Sequence, residues 1–91
     1  NVVTEDEFGA SAGPELRDIR RVVNEEFYDR LDEEQKVISY LAANALKSAP
    51  RNIDSWFQQR LEQSQFPTLA GDDAVMETVR TVLQKLSQAA P

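Results

Sequence analysis

The 91-residue chain has no histidine and no cysteine. That absence removes imidazole general bases, thiolate nucleophiles, disulfides, zinc sites built from His or Cys, and every catalytic triad that turns on an imidazole. Glycine stands only at positions 9, 13 and 71, so no glycine-rich loop is available to cradle a phosphate. Apolar runs are a few residues long, far below the roughly 20 that span a bilayer, and membrane insertion is not expected. Basic charge is also scarce: ten Lys and Arg stand against sixteen Asp and Glu, a net charge of -6. Such a chain repels phosphate backbones, so nucleic acid is an unfavoured partner. A lack of cysteine is compatible with any compartment, with an intracellular setting favoured.

What remains is 41% hydrophobic and 29% charged, the composition of a globular chain with enough apolar surface for one core. The charge is uneven. Residues 1–34 carry eleven acids and four bases, and residues 35–91 carry five acids and six bases. The acidic front half predicts a complementary basic patch on any partner that uses it.

Residues 1–13 show no hydrophobic period and end in a Gly-Pro step, which reads as a flexible lead before a single domain over 14–91. The opening Asn1 and closing Pro91 further suggest a piece of a longer polypeptide. Pro14 fits the first position of a helix, where its missing N–H costs nothing. Steps of 100° then place Leu16, Ile19, Val22, Val23, Phe27 and Leu31 in one arc. Asp32 and Gln35 have the spacing of a capping box, so a second helix is expected to follow almost without a loop. Its arc of Val37, Ile38, Leu41, Ala42, Ala45, Leu46 and Ala49 covers about half the circumference. Contact with two neighbours, and a central place in the bundle, follow from that width.

Asn52 is a natural N-cap for a third helix through about Gln65, with Ile53, Phe57 and Leu61 facing one way. Phe66 and Leu69 in the next loop are placed to plug one end of the core. Asp72 and Asp73 open a fourth helix, where carboxylates complement the free N–H groups and the dipole. Its stripe is Val75, Met76, Val79, Val82, Leu83, Leu86, Ala89 and Ala90. Four helices with short joints predict an all-α, compact four-helix bundle, up-and-down or orthogonal.

Few residues here carry chemistry. The carboxylates Glu25, Glu26, Asp29, Asp32, Glu33 and Glu34 straddle a helix end and a helix start, where acids serve as caps and solvated face. Acid–base catalysis would need a cleft that pushes two of their pKa values apart. The alternating oxygen ligands and central glycine of an EF-hand loop are missing. No metal or cofactor is expected, and the chain reads as a non-enzymatic module. A helix-turn-helix use of Arg51, Gln58, Gln59 and Arg60 is opposed by the net charge.

Asp54-Ser55, at the start of an interior helix of a small acidic four-helix chain, resembles acyl and peptidyl carrier proteins. In those proteins this serine bears a phosphopantetheine arm, and the resemblance implies Ser55 as the attachment point. It covers only this dipeptide and the helix count: no glycine precedes Asp54, and bulky Trp56 follows Ser55. A regular amphipathic helix also stands where carriers have a long loop.

Tyr28, Tyr40 and Trp56 fall beside the apolar stripes. Amphipathic aromatics are favoured interface anchors, which makes these three the candidate partner-binding residues. The sequence thus predicts an interaction module that presents a helix face or groove to another protein. Carrier function at Ser55 and a dimerising regulatory or chaperone-like subunit are the alternatives.

Overall fold

The computed structural model describes residues 15–89. The expected lead over 1–13, the helix start at Pro14 and the side chains of Ala89 and Ala90 lie outside the described residues. The fold is an all-α four-helix bundle. Helix α1 spans Leu16–Glu26, α2 Asp32–Ser48, α3 Ile53–Glu62 and α4 Asp73–Ala89, with a short 3-10 helix, Pro67–Gly71, between α3 and α4. Helices α2 and α4 each pack against the other three, whereas α1 and α3 flank them. The alanine-rich arc of α2 does put it at the centre, but α4 shares that place.

The core follows the helical period. Ile19, Val22, Val23 and Phe27 meet Ile38, Ala42 and Ala45 of α2, Phe57 and Leu61 of α3, and Val75, Met76, Val79, Val82, Leu83 and Leu86 of α4 in one buried cluster. Leu69 and Ala70 of the 3-10 helix are buried in the same cluster, with Phe66 packed against it, so the expected plug is present. Proline at the first position of that 3-10 helix fixes φ where no N–H is needed. The Gln58 amide donates to the Ala70 carbonyl at 2.9 Å and ties the 3-10 helix to α3.

Four boundaries differ from the periodic reading, each for a local reason. Helix α1 stops at Glu26 although its apolar arc continues to Leu31. The Gln35 amide on α2 donates to the carbonyls of Phe27 at 2.8 Å and Arg30 at 3.1 Å, and takes over the accepting groups that a further helical turn would have used. Leu31 is consequently outside the core, 67% exposed, and Leu16 at the other end of the arc is 43% exposed. The expected Asp32–Gln35 capping box is replaced: Glu34 accepts the Leu31 N–H at 3.2 Å, which leaves Gln35 for the interior.

Helix α2 ends one residue early, because Ala49 adopts the left-handed conformation at φ 49° and is exposed. The following Pro50 disfavours right-handed helix at Ala49, and the left-handed residue closes the helix through its N–H to Ala45 at 2.9 Å. Helix α3 stops at Glu62 rather than Gln65. Ser64 Oγ donates to the Leu61 carbonyl at 2.6 Å and accepts from the Phe66 N–H at 3.1 Å, a local side-chain pairing that competes with another helical turn.

Candidate functional site

The turn between α1 and α2, residues 27–31, is held at Phe27, Arg30 and Leu31. Phe27 anchors it in the core, 3% exposed. Gln35, 5% exposed, caps it from below as described, and its Oε1 accepts from Asn24 Nδ2 at 2.9 Å, so each hydrogen-bonding end of the buried amide is used. Ser39, fully buried one helical turn later, donates its hydroxyl to the Gln35 carbonyl at 2.8 Å. Arg30 reaches across to Asp72 at 3.2 Å. Asp72 Oδ1 meanwhile accepts the N–H groups of Ala74 at 3.0 Å and Val75 at 3.3 Å, so one carboxylate caps α4 and fixes the turn to it. Lys85 of α4 pairs with Glu26 at the end of α1, and that partner raises the lysine's pKa.

Against this fixed frame, the turn points its other apolar side chains outward. Tyr28 is 78% exposed and Leu31 is 67% exposed, the two most exposed of the large hydrophobics. Beside them, between the turn and the first turns of α4, lies a cleft of about 240 Å³ bordered by Glu26, Phe27, Tyr28, Asp29, Arg30, Ala74, Val75 and Thr78, its one cation, Arg30, being paired with Asp72.

The three sequence-predicted anchors differ in their surroundings. Tyr40, 63% exposed, stands on the outward face of α2, away from Ile38 and Ala42. Among the described residues the ring–ring contact is between Trp56 and Phe57, edge-on at 6.2 Å, so the two tyrosines make no ring pair. Trp56 is half-buried and packed against the core, and the Arg60 guanidinium lies 5.0 Å from its ring centroid. Leu31, which the periodic reading assigned to the core, is the second exposed apolar side chain of the turn beside Tyr28. The signal for it was present in the sequence as the buried-amide residue Gln35 four positions later, but only the tertiary fold shows that this amide faces inward.

Most of the described acids of the front half are paired. Glu25 pairs with Arg21, Glu26 with Lys85, Asp32 with Arg20 and Lys36, Glu33 with Lys36, and Glu34 with Arg30. Among the described residues, Asp18 and Asp29 carry no ion pair. No group of three or more carboxylates among the described residues is arranged to hold a metal ion. A broader open hollow, about 690 Å³, has Glu62, Asp72 and Asp73 on its wall but no aromatic or branched aliphatic side chain.

Ser55 sits exposed in the first turn of α3, with its backbone N–H on Asn52 Oδ1 at 3.0 Å, the expected N-cap. Its neighbour Asp54 is engaged by Arg80 Nε at 2.8 Å, which raises the pKa of the guanidinium. No helix among the described residues is long and apolar enough to cross a membrane. No protein-family model, no curated protein and no solved structure matches the chain.

Proposed function

We propose that this domain is a non-enzymatic helical protein–protein interaction module that presents the α1–α2 turn, with Tyr28 and Leu31, to another protein. The observation that supports the reading is a turn whose backbone is fixed by Gln35, Glu34 and the Arg30–Asp72 pair while its two apolar side chains stay in solvent. Leaving a tyrosine and a leucine exposed forgoes about 1.5–3 kcal/mol of burial for each fully buried side chain of this size. A partner that covers them recovers part of that energy. Because the turn is already ordered, little conformational entropy is lost on binding. Tyr40 is a second exposed anchor on the same helix pair, and Trp56 acts mainly as a packing residue with one open edge.

The test is affinity capture from a lysate of the native source, with the wild-type chain beside a Tyr28→Ser, Leu31→Ser double variant and a Tyr40→Ala variant. Helicity is checked first by circular dichroism. A protein retained by the wild type and lost from the double variant, then titrated in purified form against both, is the expected result. Identical eluates from wild type and double variant overturn the reading. A phosphopantetheine mass on Ser55 after incubation with a transferase replaces it with the carrier function, and a concentration-dependent mass in light scattering replaces it with self-association.

A further inference from the structure

The charge around the turn says what kind of partner it suits. Residues 25–34 contain six acids and one base, Arg30. The ion pairs that reach this stretch bring in Arg20, Arg21, Lys36 and Lys85, and the facing start of α4 adds Asp72 and Asp73. Eight acids thus stand with five bases, a local net charge of -3. The rest of the described residues hold five acids and five bases, so the net charge of the described body is concentrated at this one end. Ion pairing has neutralised single carboxylates without neutralising the surface. Asp29, exposed beside Tyr28 and without an ion pair, is the carboxylate best placed to accept a new cation.

Four occupants can be compared for the exposed apolar pair and its cleft. A second copy through the same face would set two surfaces of equal negative charge against each other. The chain's own residues 1–14 contain three acids and no base, and they meet the same repulsion. A small molecule would find a cleft of about 240 Å³, below the roughly 300–1,000 Å³ of ordinary ligand pockets. A polypeptide segment with lysine or arginine flanking an apolar side chain meets a net attraction, because Glu26 and Asp29 also border the cleft and its one cation, Arg30, is held by Asp72. Its apolar group enters the cleft against Tyr28, Ala74 and Val75, and its cation takes Asp29.

Resting on the reading of the domain as an interaction module, we infer that the α1–α2 turn docks a basic, apolar peptide segment of its partner through Tyr28, Leu31, Asp29 and the adjoining cleft. Long-range attraction to the net negative end speeds encounter, the apolar contacts hold the complex, and binding weakens as salt rises.

The experiment titrates the full chain, labelled with nitrogen-15, with two short amphipathic peptides that share their apolar residues and differ only in carrying lysine or glutamate between them. The lysine peptide is expected to move the amide resonances of residues 27–31 and 74–78 in a saturable way. It should bind at least about tenfold tighter than the glutamate peptide at low salt. Asp29→Lys should weaken the lysine peptide by about tenfold, beyond the effect of the equal charge change Glu15→Lys at the far end of α1. Tyr28→Ser with Leu31→Ser should remove binding while circular dichroism stays unchanged.

Equal affinity for the two peptides, shifts centred on another face, or no binding at all overturns the inference. Peptide-free, concentration-dependent shifts of the same amides would make a second copy the occupant and overturn it as well. If the lysine peptide fails while the double variant still loses a captured protein, the basic-segment inference falls and the interaction module stands. If capture is also unchanged, both fall.

Discussion

The two corners of α2 are built from similar material and end differently. At its start, residues 27–31 carry Tyr28 and Leu31 into solvent. At its end, Ala49, Pro50 and Asn52 lead into α3, where Trp56 lies against the core and under Arg60. Both corners place an aromatic beside an apolar stripe. The first is clamped from inside by a buried amide and from outside by Arg30–Asp72, so its backbone needs no help from its exposed side chains. The second is held by a left-handed alanine and an asparagine cap, with the tryptophan packed on Phe57. Where polar groups hold a corner, its apolar side chains are free for another task. At the second corner the aromatic packs on the core and is itself part of the hold.

The sharpest contrast is between core and turn. Phe57→Ala removes a fully buried ring shared by the helices and is expected to cost about 3–5 kcal/mol. Tyr28→Ala at the exposed corner should stay within about 0.5 kcal/mol. Urea unfolding of the two variants reads both, and a comparable loss for Tyr28→Ala would remove the case for a free surface.

Next in size is the clamp. Gln35→Leu leaves the Arg30 carbonyl and the Asn24 amide without this partner and the Phe27 carbonyl with the Arg30 N–H alone, a loss of about 1–3 kcal/mol. Hydrogen exchange at residues 27–31 should accelerate in this variant more than exchange in α3. Uniform acceleration would show that Gln35 stabilises the whole bundle and does not specifically fix the turn.

Trp56→Ala, at the other corner, should cost about 1–2 kcal/mol, between the core and turn substitutions, because only part of the ring is covered. A denaturation midpoint equal to wild type would make Trp56 as free as Tyr28 and return it to the set of interface anchors.

A further substitution at the second corner should give a gain. Ala49 holds φ 49°, a conformation in which Cβ is crowded by the neighbouring carbonyl. Ala49→Gly should stabilise the protein by about 0.5–1 kcal/mol, the relief of strain outweighing the extra freedom of the unfolded chain. A loss of stability would show that the alanine methyl is more useful to this corner than its strain is costly.

Linkage gives a last, modest handle on the first corner. Glu26 raises the pKa of Lys85 in the folded protein, so this pair's contribution is fully present below the ordinary lysine range and is lost as pH rises through the folded pKa, above about 10.4. Between pH 6 and 9 it should leave stability flat, and Lys85→Met should lower that plateau slightly and abolish the alkaline decline.

The helical period made most of the core legible. Ile19, Val22, Val23, Ile38, Ala42, Phe57, Leu61, Val79 and Leu86 are buried because burial of a helix face repeats at a spacing that a list of residues already displays. The caps Asn52 and Asp72 were equally legible, since a short polar side chain before a helix has one nearby set of free N–H groups to serve. Leu31 and Gln35 were not. Periodicity assigns Leu31 inward and the capping-box spacing assigns Gln35 to the start of α2, and the fold departs from both because a buried amide satisfies two turn carbonyls that no leucine could. Of the candidate surface, Tyr28 and Tyr40 were visible as off-stripe aromatics, whereas Leu31 and the cleft were not.

The sequence by itself therefore determined the four helices, most of the inward residues, the caps and the excess of acid in the front half, all of which depend on neighbours within a turn or two along the chain. The tertiary structure decided which off-stripe aromatic is free and which is packed, where α1 stops, and how the front-half acids are paired. Those outcomes depend on groups 8 to 59 residues apart meeting in space, as Gln35 meets Phe27 and Lys85 meets Glu26, and no local pattern encodes such a meeting.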